Sequence, residues 1–164
     1  MTDSNDTTRR QAVQLAAGVA AVAALGKTAS AETRNVVGVW RLVATKATDA
    51  NGKAMEVPYG PRGMGIVTLT SDNRMMAVLV DGRSKLPDGA KREYSSYCGN
   101  FTFDGSTLIT TVDAASDPAR MGSQQVRKVR FEGDRMILVP PVTEVNGVKV
   151  TRELTWERIS SVSL

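Results

Sequence analysis

From position 36 onward, apolar residues recur at every second position in short runs, and clusters of turn-forming residues break the runs. Side chains on an extended chain alternate between two faces, so this period predicts strands with one buried face rather than helices. The runs cover 36–48, 64–70, 75–80, 94–103, 107–112, 125–131, 135–139 and 148–159. Between them, Asn51-Gly52, Ser71-Asp72-Asn73, Asp104-Gly105, Glu132-Gly133-Asp134 and Asn146-Gly147 supply residues that tolerate tight turns and positive φ. The polar stretches 81–91 and 113–123 read as long loops, the first leading into one short helical turn. The pattern predicts an all-β fold, a single antiparallel up-and-down barrel of about eight strands. That is the size at which the interior holds either packed side chains or one small ligand.

Alternation also assigns faces. On the first strand Trp40, Leu42 and Ala44 share a side; on the last, Val148, Val150, Arg152, Leu154, Trp156 and Arg158 do, leaving Lys149, Glu153 and Glu157 to water. Trp40, Trp156 and Arg158 therefore meet near one end, where the guanidinium can lie over the Trp40 ring and plug the barrel. In Gln125-Val126-Arg127-Lys128-Val129-Arg130-Phe131 the apolar pair Val129 and Phe131 takes Gln125 and Arg127 inward with it. An inward arginine keeps its charge and needs partners. Asp113 and Glu93 are the acidic candidates for that role. Left unpaired, Arg127 and Arg152 become sites for a ligand's carboxylate, phosphate, enolate or phenolate. Tyr97, Tyr94 and Tyr59 add phenolic hydroxyls, and Met64, Met75 and Met136 add adaptable apolar wall. The expected ligand-binding set is thus Arg127, Arg152, Gln125, Tyr97, Tyr94, Tyr59 and Met75.

The sequence before the strands has a different character. Arg9-Arg10 precede an Ala/Val/Leu run from Leu15 to Leu25, and Ala29-Ser30-Ala31 follows as a small-x-small cleavage pattern. This reads as an export signal over 1–31, of twin-arginine type, ahead of a barrel domain over 32–164. The apolar run is too short for the ~20 residues that a bilayer-spanning helix needs. A periplasmic or secreted bacterial protein with no stable membrane anchor after cleavage is expected.

Gly38-Val39-Trp40-Arg41-Leu42 and Leu154-Thr155-Trp156-Glu157-Arg158 frame a series of further motifs in register: Pro58-Tyr59-Gly60-Pro61-Arg62-Gly63, Asp72-Asn73-Arg74-Met75-Met76-Ala77, Tyr97-Cys98-Gly99-Asn100-Phe101 and Gln125-Val126-Arg127. Together they resemble the bacterial lipocalin-like domain family. The resemblance implies the barrel fold and an interior pocket. Two features depart from the family pattern: threonines on 107–112 where many relatives carry histidines, and a shortened segment before Tyr94.

Composition narrows the chemistry. Among 164 residues there is no histidine and one cysteine, Cys98. Triads built on imidazole, imidazole metal sites, thiolate clusters and an intramolecular disulfide are all excluded. Neither metal nor cofactor is expected. The formal charge of +4 is spread singly along alternating strands, a solubility pattern rather than a nucleic-acid footprint. Two functions from different classes remain. One is a monomeric or homodimeric exported module binding a small, largely apolar or amphipathic molecule with an anionic or oxygenated end. The other is a cofactor-independent isomerase, cyclase or lyase, with Arg127 stabilising an oxyanion and Tyr97 or Asp113 moving a proton. A filled barrel serving as an interaction or stress-response domain is the third outcome.

Overall fold

Strand formation follows the alternation where a strand buries one face and wets the other, as most of the strands do. In a computed structural model of the chain, which describes residues 35–160, nine strands occur in the order β1 (Gly38–Asp49), β2 (Gly63–Leu69), β3 (Arg74–Asp81), β4 (Tyr94–Phe103), β5 (Thr107–Ala115), β6 (Gln124–Glu132), β7 (Arg135–Val139), β8 (Thr143–Val145) and β9 (Val148–Ser160). Each of the first six pairs antiparallel with the next, β7 pairs with β9, and β9 returns to pair with β1. Eight strands therefore close an up-and-down barrel without free edges. The three-residue β8 is a hairpin arm lying on the start of β9, turned by Asn146 and Gly147, both at positive φ. The export-signal reading falls on residues outside those described.

The expected helical turn is in the other long loop. Residues 81–91 contain none; a single 3-10 turn occupies Pro118–Arg120. Asp117 caps it by accepting the Ala119 N–H at 3.1 Å, and Pro118 supplies the preset φ of a first helical position.

Antiparallel connections place the turns after β2, β4 and β6 at one end with Gly38 and the close of β9. The longer loops after β1, β3, β5 and β7 lie at the other. The first end is filled. Trp40 lies 6.3 Å from Phe131 centroid to centroid, with Val36, Leu69, Leu108 and Met136 buried in the same core. Arg158 lies 4.0 Å over the Trp40 ring and donates to the carbonyls of Val37 and Asn35, while the Trp40 indole donates to Val36 O at 2.8 Å. Burial lowers the pKa of the Arg158 guanidinium, and the carbonyls and ring face supply the partners its charge needs. Gly38 is what lets it pass: φ there is +143°, and a Cβ would stand 2.5 Å from Arg158 Nη1. The plug anticipated from Trp40, Trp156 and Arg158 is thus built on Trp40 and Arg158, with Trp156 one inward position above them on β9.

Ala44 departs from simple parity. A register shift between Leu42 and Ala44 turns Ala44 outward opposite Thr155 and brings Ala47 inward opposite Arg152. An extra residue in one strand flips the face of all that follow until it is compensated.

Candidate functional site

Above the plug the barrel is hollow. A cavity of about 370 Å³ opens among the loops of the second end, within the range of small-molecule sites. Its lower wall is apolar, formed by Val67, Met75, Ala77, Leu138, Leu154 and Trp156; its upper wall carries Arg127, Arg152, Gln125, Ser95 and Tyr97. Tyr59 and Pro58 from the β1–β2 loop, Arg120 from the 3-10 turn, and Pro140, Pro141 and Thr143 ring the mouth.

The inward face of β6 brings Gln125 and Arg127 here, as Val129 and Phe131 require. Arg127 donates to Val126 O at 2.7 Å and to Gln125 Oε1 at 3.4 Å, so its own strand supplies its partners. Arg152 donates to the Thr143 hydroxyl and fastens the β8 arm beside the mouth. Among the described residues, neither Arg127 nor Arg152 has a carboxylate within ion-pair distance. Arg120 donates to Ser95 Oγ at 3.1 Å and sits 5.8 Å from the Tyr97 ring centroid; Asp117 is its ion-pair partner at 4.0 Å. The cavity lining holds three guanidinium groups and no carboxylate. Positive potential is thereby concentrated in a recess with low-dielectric walls, the arrangement that focuses a field on an anion.

Six of the seven expected ligand-binding positions line this one cavity: Arg127, Arg152, Gln125, Tyr97, Tyr59 and Met75. The seventh, Tyr94, does not. It is 56% exposed on the outer face of β4, an odd number of residues from Tyr97. Met64 is also outside, 55% exposed. The acidic candidates lie elsewhere too. Asp113 is on the outer face of β5, ion-paired with Arg74 at 2.6 Å, and Glu93 is exposed and accepts the Tyr59 backbone N–H. An Asp113 carboxylate held outside the wall cannot move a proton within it.

Two features of the site escaped the sequence pattern. Arg120 is one, because period-two reading is silent on loops; the Asp117-Pro118 helix start was the available signal. The other is Asp81 at the end of β3, which is 1% exposed. Arg83 meets its carboxylate through Nε at 2.9 Å and Nη2 at 2.5 Å, and the Arg83 N–H adds a bond of 3.0 Å. Arg92 donates to the carbonyls of Asp81 and Arg83. The Arg83 guanidinium holds the Asp81 carboxyl below its usual range. This cluster packs against Gly60, where a Cβ would come within 2.9 Å of Asp81 Oδ2. It thus fixes the loop that presents Tyr59, itself at φ +65°, to the mouth.

No curated protein and no solved structure matches the chain. The model of one family, described as the lipocalin-like domain, matches residues 37–159, which takes in the barrel strands up to the last residue of β9 and every residue of the cavity wall. Interior-binding barrels are the architecture to which that description refers, and the hollow above the Trp40 plug is the corresponding space here. The chain belongs to the lipocalin-like domain family.

Proposed function

We propose that this chain is an exported binding protein for a small amphipathic molecule, with an apolar body in the barrel and an anionic or oxygenated end at the mouth. One observation carries the reading: Arg120, Arg127 and Arg152 converge on a largely apolar cavity whose lining has no carboxylate. Arg127 and Arg152, held by neutral acceptors, can add a charge-assisted bond when an anion enters, and the anion completes the neutralisation that the fold leaves undone.

Isothermal calorimetry with decanoate tests this directly. Arg127→Ala is expected to weaken decanoate binding at least tenfold, the loss of a hydrogen bond to a charged group. Equal affinity in wild type and variant would remove Arg127 from the site. Binding is favoured over catalysis because, of the proton carriers expected for an enzyme, only Tyr97 lines the cavity. The export part of the proposal is tested by intact mass of the protein recovered from the bacterial periplasm: the chain should begin at Glu32, and a retained Met1 would contradict it.

A further inference from the structure

A guanidinium group carries five N–H donors and no acceptor, and the three at the cavity mouth use few of theirs on the protein. Arg127 uses two, on Val126 O and Gln125 Oε1; Arg152 uses one, on the Thr143 hydroxyl; Arg120 uses one, on Ser95 Oγ. Among the described residues, Asp117 alone brings a carboxylate within ion-pair distance of any of the three, at 4.0 Å from Arg120 Nε, and its side chain is 59% exposed. All three arginines are half-buried rather than sealed in the core, so their unused donors are hydrated in the free protein. Donors and positive charge are thus both in excess at one recess.

Parity and register direct that excess to a common space. Arg127 shares the inner face of β6 with Val129, and Arg152 shares that of β9 with Val150 and Leu154, all buried. Lys128 lies opposite Val139, and Leu154 opposite Leu138. Extending those two ladders brings Arg127 and Arg152 level with Pro140, one on each side of it. Two strand spacings of ~4.8 Å then separate their backbones by roughly 10 Å, a gap that two arginine side chains can close onto one group. Arg120 comes from the other wall, where Ser95 is 7% exposed on the inner face of β4. In the closed ring of strands, β4 stands across from β9. An anion in the mouth therefore has cations on both sides.

A carboxylate would bring one charge and two oxygens to this trio. A phosphate monoester brings about −1.5 to −2 charges at neutral pH and three terminal oxygens, one for each guanidinium. We infer that the polar end of the ligand is such a dianion, a phosphate monoester on a short apolar body, rather than a carboxylate. This rests on the binding function proposed above and specifies its anion. The cavity of about 370 Å³ corresponds to about a dozen water volumes at ~30 Å³ each, room for a phosphate and a chain of about eight carbons.

Calorimetry on the purified wild-type protein compares octyl phosphate, octyl sulfate, decanoate and inorganic phosphate. Octyl sulfate has the same chain and the same three terminal oxygens as octyl phosphate but keeps a single charge. At about pH 8, octyl phosphate is expected to bind at least tenfold more tightly than octyl sulfate or decanoate, because its second charge adds to the attraction of all three cations. At about pH 5, below the second phosphate pKa of about 6, that advantage should vanish. The chain has no histidine; Tyr59, Tyr97, Asp117, Glu93 and the Asp81–Arg83 pair are the other titratable or charged groups around the mouth. Octyl sulfate reports whatever they contribute. Arg120→Gln should lower octyl phosphate affinity by a larger factor than octyl sulfate affinity, since two ligand charges lose its attraction rather than one. If the two octyl esters bind alike at the higher pH, if the advantage persists at the lower pH, or if Arg120→Gln weakens both equally, the dianion is wrong while the binding of an amphipathic anion stands. Inorganic phosphate binding as tightly as octyl phosphate would overturn the inference in favour of a site for the free anion. If none of the three amphiphiles binds, the function proposed above falls and the dianion with it.

Discussion

The two ends of the barrel use the same kind of residue to opposite effect. At the closed end Arg158 is inside the protein with its requirements met by Val37 O, Asn35 O and the Trp40 ring. At the open end Arg127 and Arg152 are held by a neighbouring carbonyl, an amide and a hydroxyl, with no stacked ring and no carboxylate among the described residues. An interior cation is thus structural or available according to how fully its surroundings answer it. Burial alone does not tell the two apart.

Substitutions at the two ends sharpen the contrast. The largest effect is expected from Trp40→Ala, which empties the plug and should cost about 3–5 kcal/mol in chemical denaturation. A variant as stable as wild type would mean that the closed end does not hold the barrel together. Arg158→Ala should follow at on the order of 2 kcal/mol, from the lost stack and charge-assisted bonds. By contrast, Arg127→Ala should change stability by less than ~0.5 kcal/mol, as for substitutions away from a structural network. If Arg127→Ala destabilised the fold as much as Arg158→Ala, the distinction between the ends would collapse.

A smaller effect should appear as pH dependence at the mouth. Asp81 has its folded-state pKa depressed by Arg83, so its contribution is complete above the ordinary carboxylate range and is lost as pH falls through the lower folded value. Asp81→Asn should therefore flatten the acid limb of the melting-temperature profile. It should act on ligand affinity only through the loop that carries Tyr59. An unchanged acid limb would show that the Arg83 contact contributes nothing to folding.

How much of this was legible in the sequence depended on whether period two applied. The barrel, its strand order and the inward placement of Gln125, Arg127, Arg152 and Tyr97 all follow from apolar neighbours at even spacing. Tyr94 and Asp113 were chosen for their chemistry against that parity: each sits an odd number of residues from an inward neighbour, Tyr97 and Val112, and each is outside. Ala44 was misplaced because a bulge leaves no mark in a pattern of hydrophobic positions. Arg120 was missed because a loop residue reaches the site through a cap and an ion pair, which obey no strand period; Asp81 keeps the inward parity of Met75, Ala77 and Leu79, but the polar stretch it opens reads as a loop. Which donors of the mouth arginines are already met could not be read at all, since hydrogen-bond satisfaction depends on where every neighbouring carbonyl comes to rest.

The β1–β9 seam has a consequence for the order in which the protein can be assembled. It joins the first strand to the last along most of their length, from Val39 opposite Ser160 to Asp49 opposite Val150. During synthesis, at roughly 5–20 residues per second, β1 emerges early and waits for its partner until every other strand has been made. Until then the nascent sheet carries two unpaired borders, β1 and β7, each able to recruit another chain. Loss of β9 would not give a smaller barrel; it would leave an open ribbon with both borders exposed, so the last strand made is also the one that protects the molecule from its own copies.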